Sequence, residues 1–425
     1  MTFSGDIMRK RHILIFVLLS FSVAGTTVYP QQTDNPFSQS KFVPDISLIL
    51  DCSYLHRNHN DDRLATMIIP GLIYNSEEMT SRQGFNLNYG ELTIASIVDP
   101  YFDLFSSLEF SENGFEIEEA YFTTRSLPLG FQLKGGKFMS HFGRINEQHT
   151  HYWDFSDAPL LNSAFFGEHL LNEKGIRITW VAPFDYFLMT GIEILQGENN
   201  SSFGRAGFSE PAGIVSVSSS TWPNLFVSYI KTSFDIENLV VLFGLSNAFG
   251  GTKINHDIDY EEITGEAIDG TTSITGADVT LKYLFNSIQC ISLQAEYLYR
   301  SMNGDKYIRD GSGTVGKFSL DSRQAGLYTQ LVGRLSKRTR TGIRLDLINV
   351  NDVRLSGTGQ NYPHSLPRYS AMIEYNPTEF SRLRLQYNYD LSRYEITSDR
   401  FSRSSTHELI LQMNITIGAH GAHAF

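Results

Sequence analysis

The chain has little cysteine, few basic residues and, beyond its first two dozen positions, no long apolar run. Each absence excludes something. Two cysteines in 425 residues, Cys52 and Cys290, with no Cys-x-x-Cys pair, make neither a disulfide framework nor a cysteine-based zinc or redox motif. An oxidising compartment would permit a bond between them; free thiols are the preferred reading. Lys and Arg number 34 against 46 Asp and Glu, a net charge of −12. Loss of residues 1–24, with three basic groups and one acidic, would leave −14, so nucleic acid is not an expected partner. No later stretch approaches the ~20 apolar residues of a spanning helix. Mean hydropathy is only −0.19. Aromatics, by contrast, are abundant: 30 Phe and 21 Tyr.

The start of the chain reads as a secretory signal. Arg9, Lys10, Arg11 and His12 form a basic region, Ile13 to Val23 an apolar one too short to span, and Ser22 and Ala24 the small residues before a cleavage site. Met8 is an alternative start, and an uncleaved anchor an alternative fate. Residues 25–44 are polar and read as a short periplasmic leader, with no lipobox cysteine. The domain plan is therefore a signal peptide (1–24), the leader (25–44) and one long unit, 45–425.

That unit alternates with a period of two. In Ser381–Leu391, Leu383, Leu385, Tyr387, Tyr389 and Leu391 share one face, and Arg382, Arg384, Gln386, Asn388 and Asp390 the other. Sixteen such strands can be traced from 45–55 to 405–419, among them 238–248, 274–286, 289–301 and 321–335. Even-numbered strands are followed by short turns such as Asp99-Pro100 and Pro183-Phe184. Odd-numbered strands are mostly followed by long segments: 56–83, 140–174, 196–222, 249–273, 302–320, 350–367 and 392–404. Short turns on one side and long loops on the other characterise outer-membrane barrels, and the even count puts both termini in the periplasm. The fold class expected is all-β: a transmembrane antiparallel up-and-down β-barrel of about sixteen strands, lipid outside and a wet lumen inside. Tyr54, Tyr89, Tyr101, Tyr121 and Tyr375 are expected in aromatic girdles.

Some residues carry a resemblance. The block from Leu133 to Leu160, Leu-Lys-Gly-Gly-Lys-Phe-Met-Ser-His-Phe-Gly-Arg-Ile-Asn-Glu-Gln-His-Thr-His-Tyr-Trp-Asp-Phe-Ser-Asp-Ala-Pro-Leu, is followed by Gly167-Glu168 and Gly175-Ile-Arg-Ile. With Glu116–Thr124 and the closing Gly418–Phe425, it resembles a group of porin-like bacterial outer-membrane barrels. Members of that group are sometimes labelled zinc-regulated TonB-dependent receptors, and the block is distantly similar to phosphate-selective porins. The receptor label implies a plug domain, for which residues 25–44 leave no room. A terminal aromatic, Phe425, closing an amphipathic last strand resembles the signal read by the barrel assembly machinery.

The 140–174 loop concentrates ionisable and aromatic residues and is too apolar to stand in solvent, so it is expected to fold inward. Lys137 and Arg144 facing Asp154, Asp157 and Glu168 would then set a transverse field across a constriction. The alternative is a loop packed on the rim for stability alone. His149 and His151, two apart, with Asp154 form a candidate metal set, since imidazole and carboxylate suit zinc; a chance His-x-His is the plainer reading. Arg338, Arg340, Arg344, Arg382 and Arg384 fall on inward faces. They form either a basic ladder for anions or, preferably, pairs with Asp346, Glu374 and Asp390. No Ser, His or acidic spacing selects a nucleophile with its base, so neither an enzyme nor a cofactor is expected. The function expected is passive diffusion of small hydrophilic solutes or ions through the cell outer membrane. The alternatives are a plug-less, metal-linked uptake barrel and a non-conducting surface barrel. Partners are then outer-membrane lipid, the assembly machinery and the solutes; nothing fixes a homo-oligomer.

Overall fold

A computed structural model describes residues 43–418 apart from 73–80, 113, 211–214, 257–264 and 398–399. The segment read as a signal peptide, nearly all of the leader, and Phe425 lie outside the described residues. Sixteen antiparallel strands close into a barrel. They are β1 (Asp45–Arg57), β2 (Gly84–Ile97), β3 (Phe102–Ser111), β4 (Gly114–Thr124), β5 (Phe131–Met139), β6 (Asn172–Val181), β7 (Phe187–Leu195) and β8 (Leu225–Ile236). The second half comprises β9 (Leu239–His256), β10 (Gly265–Leu284), β11 (Cys290–Arg309), β12 (Val315–Arg334), β13 (Thr339–Leu355), β14 (Leu366–Thr378), β15 (Ser381–Asp390) and β16 (Thr406–Gly418). Each strand pairs with its chain neighbour, and β16 closes on β1 with Ser47 opposite Gly418 and Arg57 opposite Glu408. Closure removes the unpaired edges that an open sheet would present to lipid. Two short helices, α1 (Asp61–Ala65) and α2 (Leu160–Phe166), lie in long connections.

The faces follow the period of two. On β15, Leu383, Leu385 and Tyr387 are exposed, whereas Arg382 and Arg384 are each only 1% exposed. On β16, Leu409, Leu411, Met413, Ile415 and Ile417 point out, and Gln412, Asn414 and Thr416 are buried. Apolar outside and polar inside is the reverse of a soluble domain, and the arrangement that a bilayer demands. Cys52 and Cys290 are free.

Two departures from the expected strands have physical causes. Strands β10, β11 and β12 run for 20 residues each. At a rise of ~3.3 Å per residue such a strand reaches about 66 Å, well over twice a ~25 Å apolar band. Their upper halves are polar and read as loops because no lipid imposes an apolar face there. They pair nonetheless, Ile268 opposite Lys306 and Tyr307 opposite Lys317. The second departure concerns parity. Tyr54, Tyr101 and Tyr375 are exposed on the outer surface as expected for girdles, but Tyr89 is buried and Tyr121 packs against the interior core. The β1–β2 register skips Asn88, and the β3–β4 register skips Glu118. Each bulge moves the following residues to the opposite face.

Candidate functional site

The connection between β5 and β6, residues 140–171, is held against the interior of the barrel. Its start is fixed by Gly143, whose N–H donates to Ser246 Oγ (3.0 Å) and whose carbonyl accepts from Lys231 Nζ (2.7 Å). The backbone there has φ +65°, and a Cβ would collide with the Glu296 carboxylate, so only glycine fits. All seven residues of α2 are buried. Phe142, Trp153, Leu161, Phe165 and Phe166 pack with Leu225, Ala248, Ile274, Leu298 and Tyr328 of the wall. Burying side chains of this size contributes about 1.5–3 kcal/mol each. The long connections at the same end join the packing through Ile69, Phe203 and Tyr394.

One flank of the loop meets arginines. Asp157 takes Arg344 Nη2 at 2.8 Å and Arg368 Nη1 at 3.0 Å, and both guanidiniums also reach Asp346 (3.0 and 3.3 Å). Burial would favour the protonated Asp157 carboxyl, but the two guanidiniums outweigh it and hold the group at about 2. Asp154 pairs with Arg340 and accepts from Gln330 Nε2 at 2.8 Å. Arg340 and Arg384 share Glu374 (3.3 and 2.9 Å). Arg384 also donates to the Trp153 carbonyl (2.8 Å), Arg382 to that of His151 (2.7 Å) and Arg368 to that of Ala158 (2.7 Å). The guanidinium of Arg344 lies over the Phe155 ring at 4.6 Å.

The opposite flank meets glutamates. His149 Nδ1 lies 3.2 Å from Glu118 Oε2 and 3.5 Å from Glu91 Oε1, and Nε2 lies 2.9 Å from Glu119 Oε2. His151 Nδ1 is 3.1 Å from Glu91 Oε2. The two rings stack, 5.4 Å between centroids. Burial opposes charging His149, but hydrogen bonds to Glu118 and Glu119 outweigh it and raise this imidazole well above its ordinary value. For His151 burial prevails over Glu91, and its value is lowered. His141, at the start of the loop, is lowered well below the ordinary value by burial and by the nearby Arg177, Lys231 and Lys134 charges.

Beside the loop, towards the short-turn end, lies a cavity of about 700 Å³. Arg144, Lys282, Arg334, Arg340 and Arg382 line it, against two carboxylates, Glu147 and Asp154.

Not every residue singled out in the sequence comes to this region. Lys137 turns to Glu116 Oε1 (2.9 Å) and the Ile117 carbonyl (2.7 Å) on β4. Arg144 does line the cavity, where it bonds Glu147 of the same loop at 2.8 Å. Glu168 stands exposed beyond α2. Arg338 lies in the exposed turn before β13, outside the arginine row. Asp154 goes to the arginine flank and not to the histidines. Glu91, Glu118, Glu119 and Arg368 escaped sequence reasoning. The adjacent acids Glu118-Glu119 break the period of two, and that was the one legible sign of a bulge.

No family model matches the chain. An uncharacterized protein of Aquifex aeolicus (strain VF5) is 46% identical over 396 residues, 92% of this chain and 82% of its own length. The chain belongs to the same family as that protein. Among solved structures, OmpT, an outer membrane protein of Vibrio cholerae, superposes with a TM-score of 0.53 at 8% identity, over 90% of this chain and 99% of its own. The outer membrane channel DcaP of Acinetobacter baumannii gives 0.51 at 9% identity, over 88% and 97%. An anion-selective porin from Comamonas acidovorans gives 0.50 at 11%, over 88% and 100%. At such identities the likeness is one of fold, and that fold is the porin-type barrel of the outer membrane. The TonB-dependent receptor label is not supported.

Proposed function

We propose that this outer-membrane barrel is a loop-constricted channel through which small hydrophilic solutes or ions diffuse, with a preference for small anions. The observation that carries the reading is the loop of residues 140–171, fastened to opposite walls and bordering a charged cavity. Such a cavity would offer water and ions a path beside the loop, and its five guanidinium or ammonium groups against two carboxylates would attract anions. Arg144, Asp154 and Asp157 act at the narrowing; Lys137, paired with Glu116, and Glu168, exposed beyond α2, do not. Arg340, Arg344, Arg382 and Arg384 serve chiefly as anchors for the loop. Delivery through the C-terminal strand by the barrel assembly machinery belongs to the same reading, and no catalytic step does.

The test is single-channel recording of the refolded protein in a planar bilayer under a KCl gradient. Stepwise conductance with an anion-selective reversal potential is expected. Replacing Lys282 and Arg334 together by Glu should move that potential towards the cation side. Silence from demonstrably folded barrels would overturn the channel and favour a non-conducting surface barrel.

A further inference from the structure

The glutamate flank gathers three buried carboxylates, Glu91, Glu118 and Glu119, around the two imidazoles of the loop. Glu91, Glu118 and Glu119 are 2%, 8% and 5% exposed, so none is relieved by bulk water. The bulge at Glu118 turns two consecutive carboxylates inward where a regular strand would supply one. Ser107 Oγ lies 2.9 Å from both Glu91 Oε1 and Glu118 Oε2, with a single hydroxyl proton for two acceptors. His151 Nδ1 is buried beside Glu91 yet makes no hydrogen bond of good geometry.

We infer that Glu91, His149 and His151 bind a divalent transition-metal cation, zinc or an ion of similar preference, which staples the loop to the wall. One nitrogen or oxygen from each lies within 4.8 Å of the others. Separations of 3.1 to 3.5 Å between His151 Nδ1 or His149 Nδ1 and the Glu91 oxygens suit a shared ion. Bonds of ~2.0–2.1 Å in tetrahedral geometry place neighbouring donors about 3.3 Å apart. Glu118 Oε2, 3.2 Å from His149 Nδ1, is the nearest candidate for a fourth position. Glu119 completes the arrangement from outside it. It accepts from His149 Nε2 (2.9 Å) and from the Met139 N–H (2.7 Å), fixing the ring with Nδ1 towards the ion. A carboxylate behind a ligating imidazole is the usual support for such a ligand. The site is internal and shared between the loop and β2, so the ion is a resident fastener and not a transported solute.

The test uses the full barrel in detergent, stripped with EDTA and then dialysed against Zn²⁺ or Co²⁺. Metal content should return to one equivalent per chain. Co²⁺ should show the intense visible absorption of four-coordinate nitrogen and oxygen ligation, displaced by Zn²⁺. Glu91→Gln and His151→Gln should abolish retention and Glu119→Gln weaken it about 10–100-fold, while His169→Gln, at an exposed histidine, retains the ion. Heat-modifiable migration on gels reports that each variant is folded. If His151→Gln does not fold, the Co²⁺ spectrum of the unaltered barrel decides alone. No retained metal, a weak six-coordinate spectrum, or full retention by folded His151→Gln would overturn the site. The channel reading is tested by conductance and can fail or stand independently.

Discussion

The two flanks of the 140–171 loop are fastened with opposite polarity. Towards β12–β15 the loop offers carboxylates, Asp154 and Asp157, and the wall supplies arginines and a glutamine. Towards β2–β4 it offers imidazoles, His149 and His151, and the wall supplies glutamates. The two anchorages are separated by only a few residues of chain. Guanidinium keeps its charge at every accessible pH, so the first is lost only where a carboxylate is protonated. Imidazole can be neutral, protonated or metal-bound, so the second depends on conditions. A loop held by one permanent and one conditional fastening can be loosened on a single side without leaving the lumen.

The largest expected effect comes from breaking the permanent side. Asp157→Ala leaves Arg344 and Arg368 to share Asp346, and removing one partner of a buried pair costs about 3–5 kcal/mol. Conductance should rise and become noisy, and the loop should become open to protease. Unchanged traces and full protease resistance would show that the arginine contacts do not hold the loop.

Acid should act next. Asp157 is held at about 2 against an unperturbed 3.8, so its contribution is fully present above pH ~4 and is lost as pH falls through about 2. The loss is about 2 kcal/mol. Recording from pH 5 to 2 should show loop loosening confined to the lower half of that range, and a transition attributable to Asp157 above pH 5 would contradict the assignment.

The glutamate side should respond less to a single change. Glu118→Gln removes one charged acceptor from His149 while Glu119 remains, costing about 1.5 kcal/mol. Thermal unfolding should fall by less than for Asp157→Ala. An equal or larger fall would reverse the ranking of the two flanks. The smallest effect is expected at Lys137→Gln. Its partner Glu116 is 52% exposed, and such pairs contribute about 0–1 kcal/mol. Ion selectivity should not move, and a shifted reversal potential would return Lys137 to the constriction.

Much of the barrel could be read directly. The alternation in Ser381–Leu391 and the long and short connections gave sixteen strands, their order and most outward residues, because lipid acts on every second side chain of a local segment. The polar upper halves of β10–β12 were read as loops for want of that lipid signal. Inside the barrel the same logic fails. Asp154 was grouped with His149 and His151 because they are close in the chain, whereas β13 and β12 draw it to Arg340 and Gln330.

The amino-acid sequence by itself determined the class of fold, the outer face and the segment that would not stay in water. Only the tertiary structure decided which wall each loop residue meets. Asp157 and Arg344 are 187 positions apart, and no local pattern encodes a contact made by closing a ring. The same holds for the bulges that skip Asn88 and Glu118. They turn Tyr89 and Tyr121 inward and place Glu118 beside Glu119, because strand register is settled by pairing with a neighbour and not by either strand alone.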